Sequence, residues 1–331
     1  MKKLFAFFLI ALCFAVCAIA DEDVSLLLRQ LDSDRLADRD AAEAELIRRC
    51  PEIEALLPAE ETLDDRPEFS EEVIYRLKNV FQELRFRTIR ESLEKIEFRL
   101  AKVESSGDRS WVTLRTDWPK GVFPIRLAFP MNAIQGTDGE NHPLVPVVQN
   151  GVLEIPLGKT QFFGEIAVAL RGGPPQTVKG HCAILLAIGE KTFEFHRFFA
   201  DSPAAKLERT IRKGRTTVSL ESVRFDANRL TVRFRVHFDQ AFTALESHRT
   251  WIYENEAFLR LRSGEKVEPV SVVPVEQGGN EILLAATFKL PKEDTIVAFH
   301  YTTPTIIVEE TVEFAEKIDD KTDVVHTTLA F

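Results

Sequence analysis

The sequence predicts a multidomain chain in which a helical N-terminal module precedes two antiparallel β-sandwich-like units. Three observations support this fold class. Apolar residues repeat with the 3.6-residue period of helices as far as residue 92. From Glu94 the period changes to two, which is typical of strands with one buried face. The chain has 331 residues, which is too many for one small hydrophobic core, so we expect two or three domains.

The N-terminus has the order of a cleavable export signal. Lys2 and Lys3 precede an apolar run from Leu4 to Val16, and the small residues of Ala18-Ile19-Ala20 suit a signal peptidase. A transmembrane anchor is the alternative, but this run is short for a bilayer, which needs ~20 apolar residues. We therefore expect residues 1–20 to be removed as a signal peptide. The mature protein is then expected in the periplasm or outside the cell, with no membrane span.

Composition limits the partners and the redox chemistry. The chain has 42 basic and 52 acidic residues, a net charge of −10, which becomes −12 when Lys2 and Lys3 leave with the signal peptide. Such a surface repels polyanions, and no basic stripe with interleaved aromatic residues appears, so we expect no nucleic-acid partner. After removal of the signal peptide, the chain keeps two cysteines, Cys50 and Cys182, which are too few for a disulfide scaffold. We interpret both as core residues, and their pairing stays open.

The helical module is expected over residues 21–92. Leu27-Leu28-Arg29-Gln30-Leu31-Asp32 leads to Arg39-Asp40-Ala41-Ala42-Glu43-Ala44-Glu45-Leu46, and a second helix pair is expected from Glu71. These patterns resemble a HEAT-like helical repeat. The resemblance implies one or two repeat units, which are too few to bury their apolar faces alone. We therefore expect the module to pack against the next domain.

Short strands separated by turn residues fill the rest of the chain, and Gly189-Glu190-Lys191 is interpreted as one of the turns. The clearest alternation places Leu230, Val232, Phe234, Val236 and Phe238 on one strand face. The expected organisation is a β-sandwich-like domain over 93–200, a linker over 201–215, a second β-sandwich-like domain over 216–315 and a tail over 316–331.

One stretch of the second β unit carries a resemblance. The sequence Ala244-Leu245-Glu246-Ser247-His248-Arg249-Thr250-Trp251-Ile252, followed by Asn255-Glu256-Ala257, is similar to the C-terminal domain of exported proteins of planctomycete-type bacteria. The resemblance implies the compartment and the layout, with helical repeats before the β region, and no activity. The candidate structural or interaction motif consists of Glu246, Ser247, His248, Arg249, Trp251, Asn255 and Glu256.

The motif contains the residue types of a hydrolase triad in Glu246-Ser247-His248. In a triad, however, the three residues converge from separate segments, whereas consecutive side chains diverge. We interpret the stretch as a loop whose polar side chains hold backbone groups beside Trp251. No His or Cys pair has the spacing of metal ligands, and Asp138-Gly139-Glu140-Asn141 is interpreted as a hairpin turn rather than a calcium loop. We therefore predict no catalytic, metal or cofactor-binding residues.

The aromatic residues leave one further function open. Trp111, Trp118, Trp251 and Tyr253 are candidates for a sugar-stacking platform, but 25 Phe against three Tyr favour aromatic residues in the cores. The predicted function is a non-enzymatic interaction module that binds another protein of the periplasm or envelope. Carbohydrate binding through exposed Trp or Tyr, with polysaccharide as partner, is the alternative, and a hydrolase with an unrecognised site is the third possibility.

Overall fold

The structure is a computed structural model that describes residues 23–49, 53, 56–196, 209–246, 249–290, 295–319 and 322–326. The predicted signal peptide over 1–20, Cys50, Ser247 and His248 lie outside the described residues, and so does any pairing of Cys50 with Cys182. The chain divides into two compact units, Met1–Glu91 and Ser92–Phe331. Within the described ranges, no helix is both long enough and apolar enough to cross a membrane.

The first unit is helical. Residues 23–30 form α1, Leu36–Arg49 forms α2 and Glu71–Leu93 forms α3, which ends just past the unit boundary, and a short 3₁₀ helix spans Glu60–Asp65. The start of α3 follows the N-cap rule, because the Ser70 hydroxyl accepts a hydrogen bond from the backbone N–H of Val73. The helices bury one apolar cluster, which includes Leu31, Leu46, Leu63, Leu77 and Val80.

The predicted fold class is wrong in its helical part. Strands make up 51% of the chain, and the helical region amounts to three helices, so the described residues contain no HEAT-like module. The second helix pair expected from Glu71 is one helix of 23 residues, α3. A period of 3.6 residues identifies a helix with one apolar face, but it does not show that helices are paired in repeat units. The HEAT-like resemblance over 21–92 is therefore corrected to a small helical unit.

The second unit is built from strands. In the described part of the chain these are β1 (Glu97–Ser106), β2 (Arg109–Asp117), β3 (Pro124–Pro130), β4 (Gln135–Thr137), β5 (Pro143–Pro146), β6 (Val152–Pro156), β7 (Phe163–Arg171), β8 (Thr177–His196), β9 (Thr210–Lys213), β10 (Thr216–Asp226), β11 (Arg229–Phe238), β12 (Ala257–Leu261), β13 (Lys266–Val267), β14 (Pro269–Gly278), β15 (Glu281–Lys289), β16 (Ile296–Lys317) and β17 (Asp323–His326). The predicted linker over 201–215 thus contains β9, and the predicted tail over 316–331 contains β17.

The strands form two sheets. The larger has 12 strands in the order β13-β12-β16-β8-β4-β5-β7-β2-β1-β17, with β3 beside β8 and β6 beside β3, and the smaller has the order β14-β15-β11-β10-β9. Among the described strands, β17 is parallel to β1 and the other pairings are antiparallel. The antiparallel prediction is therefore confirmed for all pairings except the one at the edge of β1.

Two long strands connect the β regions that the sequence separated. β8 has 20 residues, β16 has 22, and they pair from Thr177 opposite Lys317 to His196 opposite Ala298. The turn predicted at Gly189-Glu190-Lys191 is wrong, because Glu190 pairs with Pro304 and the strand continues. Gly189 still needs its conformational freedom, since its φ is +69° and an added Cβ would lie 2.8 Å from the Thr305 hydroxyl oxygen.

Each half of the β8–β16 ribbon faces a different apolar core. Phe193, Phe195, Phe299 and Tyr301 belong to a core that β10, β11 and β15 complete. Val178, Cys182, Ile184 and Phe314 belong to a second core that includes residues of β1, β2 and β7. The two predicted sandwich-like units are therefore joined by shared strands within the single compact unit Ser92–Phe331.

Candidate functional site

The predicted motif lies in the connection between β11 and β12. Trp251, the aromatic residue of the motif, is fully buried. The indole Nε1 of Trp251 donates a hydrogen bond of 2.7 Å to the carbonyl oxygen of Ala244. The Trp251 ring centroid lies 6.0 Å from that of Phe123 and 6.2 Å from that of Phe238. Trp251 therefore fixes the connection to the core, and its ring is not available to a ligand.

Arg249 fastens the same connection by charge. Its side chain is 1% exposed, its Nε donates to the Thr243 carbonyl oxygen at 2.7 Å, and its Nη2 lies 3.1 Å from a Glu154 oxygen and 3.2 Å from a Glu246 oxygen. Glu154 also accepts a hydrogen bond of 2.9 Å from buried Arg126, which pairs with Glu309. This ionic network joins the connection to β3, β6 and β16. Removing one member of such a network leaves the remaining buried charges uncompensated.

The remaining motif residues divide between the core and the surface. The Asn255 amide donates hydrogen bonds to the Tyr301 hydroxyl at 2.8 Å and to the Thr303 hydroxyl at 3.0 Å, and all three residues are buried. Burial raises the pKa of Tyr301, so its hydroxyl stays protonated. Glu256 is exposed and forms an ion pair of 3.4 Å with Lys266. The described motif residues thus hold the fold together, and only Glu246 and Glu256 are exposed.

The four aromatic residues of the proposed sugar platform are not placed together on the surface. Trp118 and Trp251 are buried, Tyr253 is partly buried with its hydroxyl donating to Gln277 at 3.2 Å, and Trp111 is 40% exposed. Several phenylalanines, which the sequence predicted to lie in cores, are exposed. Phe162 is 48% exposed and its neighbour Phe163 is 45% exposed. This pair lines a surface groove.

The groove, named here the Phe162–Phe163 groove, has a volume of about 560 Å³. Its lining combines aromatic and apolar side chains with charged ones: Trp118, Pro119, Phe162 and Phe163 with Glu94, Lys95, Glu97, Arg115 and Asp117. Strand pairing brings these residues together, because Asp117 of β2 lies opposite both Glu97 of β1 and Phe163 of β7. Apolar walls with a few placed polar groups are typical of binding sites.

Trp118 holds the backbone segment that carries the two phenylalanines. Its backbone N–H donates to the Phe162 carbonyl oxygen at 3.1 Å, and its indole Nε1 donates to the Gln161 carbonyl oxygen at 3.0 Å. The preceding turn is held by the Gln161 side chain, which accepts a hydrogen bond of 2.6 Å from the Gly158 N–H. The backbone before β7 is therefore fixed on both sides. Alternation along a strand predicts that at most one of two neighbouring side chains enters the core, and here neither Phe162 nor Phe163 does.

Charge pairing organises one wall of the groove. The Arg115 guanidinium lies 3.9 Å from the centroid of the Phe163 ring, and it donates to Asp117 at 2.9 Å and to Glu165 at 3.1 Å. Arg99 adds a hydrogen bond of 3.1 Å to Asp117. Partial burial opposes ionisation of Asp117, but the hydrogen bonds from Arg115 and Arg99 outweigh it, so the pKa of Asp117 is lowered. Arg115 is thus held flat against Phe163, in a cation–π arrangement.

Replacing Asp117 with asparagine should make the stability difference from the wild type depend on pH. Because the folded-state pKa is lowered, the carboxylate stabilises the fold above the unfolded value of about 3.8 and loses this contribution as pH falls through the folded value. For a partly exposed pair we expect about 1 kcal/mol or less at pH 7. Urea unfolding from pH 7 to pH 2 measures it, with Asp226→Asn, at the exposed end of β10, as control. A difference that stayed constant with pH would contradict the assignment.

The edge of the smaller sheet is a second apolar surface. Val270, Val273 and Val275 of β14 are exposed, and β14 has a neighbour on one side only. Pro269 and Pro274 lie in this strand and have no N–H group to donate, which blunts the edge against pairing with another strand. The valines are spread along this edge rather than gathered around a groove, so we prefer the Phe162–Phe163 groove as candidate site.

Two observations on the described residues concern metal and thiol chemistry. Across these residues, no group of three or more His, Cys, Asp or Glu side chains is placed to hold a metal ion. Cys182 is buried, and burial raises the pKa of its thiol to about 12, so it is not a thiolate at neutral pH.

Comparisons with known proteins do not identify a family. No protein-family model matches the chain, and no curated protein matches it. Among solved structures, a conserved domain protein from Bacillus anthracis matches 68% of this chain and 88% of its own at 10% identity, with a TM-score of 0.22. The C-terminal globular domain of an oligosaccharyltransferase from Pyrococcus abyssi matches 67% of this chain and 49% of its own at 8% identity, with a TM-score of 0.19. Neither similarity supports an argument about fold or function.

Proposed function

We propose that this chain is a non-catalytic binding protein whose Phe162–Phe163 groove takes an extended segment of a partner protein. The observation that carries the proposal is the pair of half-exposed phenylalanines beside a groove of about 560 Å³. Adjacent large apolar side chains on a surface are unfavourable in water unless a partner covers them, and apolar residues in pockets supply much of the free energy of protein association.

The charges around the groove indicate what kind of segment fits. Arg115 is engaged by Asp117 and Glu165, so it does not attract a further anion. Glu94 and Glu97 are exposed, and neither has an ion-pair partner in the part of the chain that the structure describes. The basic residues of the groove lining are Lys95 and Arg115. The segment that complements this surface carries an aromatic or aliphatic residue next to a Lys or Arg.

The sequence of residues 1–20 supports a place of action after export, as a binding protein of the periplasm or envelope. Polysaccharide is the less favoured partner, because stacking on sugars needs exposed flat rings and Trp118 and Trp251 are buried. Arg115 already covers one face of Phe163. A protein segment that inserts a side chain between Phe162 and Pro119 uses the groove better than a sugar ring does.

The proposal is tested by selecting peptides from a random displayed library on the mature chain and measuring their affinity by fluorescence polarisation. We expect enrichment of an aromatic or aliphatic residue beside Lys or Arg. The double variant Phe162→Ser/Phe163→Ser should bind the selected peptides at least about tenfold more weakly, since removing anchoring side chains costs more than about 1.4 kcal/mol.

The matched control removes two phenylalanines of similar exposure elsewhere, in the double variant Phe225→Ser/Phe242→Ser, whose target residues are 59% and 51% exposed. Its affinity should equal that of the wild type. Equal loss in both double variants, or a library that yields no enriched peptide, would contradict the proposal.

A further inference from the structure

The last strand of the chain pairs in an unusual way. β17 lies at the end of the 12-stranded sheet, where its four residues run parallel to β1 in the register Lys102 opposite Asp323 through Ser105 opposite His326. The other strand pairings in the described ranges are antiparallel. A C-terminal segment has thus been added to the outer edge of β1, which β2 pairs on its inner side.

The edge of β1 is competent for strand pairing. Its segment Lys102-Val103-Glu104-Ser105 contains no proline, so each N–H group that faces away from β2 can donate to a further strand, whereas β14 at the edge of the smaller sheet contains Pro269 and Pro274. Unpaired N–H and C=O groups on such an edge form a template for a further strand. Within the chain, β17 is the segment that covers it.

The charge at one end of the pairing favours a particular register. Lys102 lies opposite Asp323 and forms an ion pair of 2.7 Å with Glu104 on its own strand. The hydrogen bond that Lys102 donates to Glu104 contributes most to raising the pKa of Lys102, and the negative charge of Asp323 adds to it, so Lys102 stays charged in this setting. An acidic residue followed by β-branched residues, as in Asp323-Val324-Val325, therefore matches this edge.

In the described part of the chain, four residues of β17 pair with β1. Each residue that docks gains backbone hydrogen bonds, but it also loses conformational entropy, so the net free energy of docking is small. A competing strand can therefore displace β17 from this edge. Released strands of this kind exchange readily, because a second copy offers the same edge with the same register.

We infer that the outer edge of β1 is a strand-binding site for an extended acidic and β-branched segment, filled in the free chain by its own β17 and open to β17 of a second copy. The site is independent of the Phe162–Phe163 groove, since it uses backbone groups of Lys102–Ser105 rather than the two phenylalanines. In this arrangement β17 pairs with the edge of β1 reversibly.

The first test uses a chain that ends at Lys317 and a fluorescent peptide of residues 322–331 as probe. The peptide should bind the shortened chain at least tenfold more tightly than the full chain, in which β17 competes for the same edge. In the peptide, Val324→Pro and Val325→Pro should differ, because only one of two successive N–H groups faces β1. Equal affinity for the two chains, or no binding to either, would overturn the inference.

A second test does not depend on the folding of the shortened chain. Full chains carrying Glu104→Cys are mixed with full chains carrying Val325→Cys, in a Cys50→Ala background, and oxidised. Glu104 and Val325 are partners in the register, so a disulfide between two copies should form. The control replaces the second chain with one carrying Val324→Cys, a position that lies opposite Val103 rather than Glu104 in the register. We expect at least tenfold more cross-linked dimer for the in-register pair, and equal yields would overturn exchange between copies.

Discussion

Replacing Trp251 with alanine should destabilise the β unit by about 3–5 kcal/mol, the cost of removing a large aromatic side chain from a core. Trp251 is fully buried against Phe123 and Phe238, and its loss also leaves the Ala244 carbonyl oxygen without its indole donor. The connection from β11 to β12 would lose its main attachment to the core. We expect the urea midpoint of unfolding to fall accordingly.

Tryptophan fluorescence measures this effect selectively, because the three tryptophans of the chain all lie in the unit Ser92–Phe331. The control is Trp111→Ala, which removes the same side chain at a position that is 40% exposed. It should cost about 1 kcal/mol or less. If the two variants lost the same stability, Trp251 would not be the anchor of the connection.

Replacing Arg249 with alanine should also cost about 3–5 kcal/mol, since it removes one partner of a buried ionic network and leaves the other charges uncompensated. Glu154 would keep Arg126, but Glu246 would lose its ion pair with Arg249, and the Thr243 carbonyl oxygen would lose its donor. The same unfolding experiment measures the loss.

The matched control for Arg249 is Arg212→Ala. Arg212 forms an ion pair of 2.6 Å with Asp239, but its side chain is more than half exposed, and exposed pairs contribute about 0–1 kcal/mol. A loss for Arg249→Ala no greater than that for Arg212→Ala would show that the network does not hold the connection.

The strands were readable from the sequence where one face is buried. The alternation of Leu230, Val232, Phe234, Val236 and Phe238 is confirmed, because all five are buried in β11. Period two is a local property of a strand, so it appears directly in the order of residues. Its register with β15 depends on residues about 45 to 60 positions away in the chain, which no local pattern contains.

The long β8–β16 ribbon shows how distant pairing overrides a local turn signal. Gly189-Glu190-Lys191 is typical of a hairpin turn, yet Glu190 pairs with Pro304 and both strands continue past that point. The energy of two long paired strands outweighs the preference of three residues. For the same reason, the sequence predicted two separate β domains, whereas β8 and β16 are shared and join them into one unit.

The helical region shows the opposite difficulty. The stripes that begin at Leu27 and Val73 predict helices, and α1 and α3 form there. Whether such helices form repeat pairs depends on where each ends, and α3 runs without interruption to Leu93. Glu71–Leu93 contains no proline or glycine that could separate two helices. This absence indicates one long helix rather than a helix pair.

The candidate site was largely beyond sequence reasoning. The polar loop around Arg249 was interpreted as a structural element beside Trp251, and the described residues have that role. The Phe162–Phe163 groove was missed, because a count of phenylalanines indicates cores on average but does not place any one of them. The groove needs β1, β2 and β7 side by side, and β2 and β7 pair residues that are more than 40 positions apart in the chain.

The most direct test of the binding proposal is hydrogen–deuterium exchange of the full chain with and without an enriched peptide. The account predicts slower exchange at Gln161–Glu165 and Arg115–Trp118, which line or support the groove, and unchanged exchange along β14. Protection along β14, or anywhere else while Gln161–Glu165 stays unchanged, would contradict the assignment of the Phe162–Phe163 groove as the binding site.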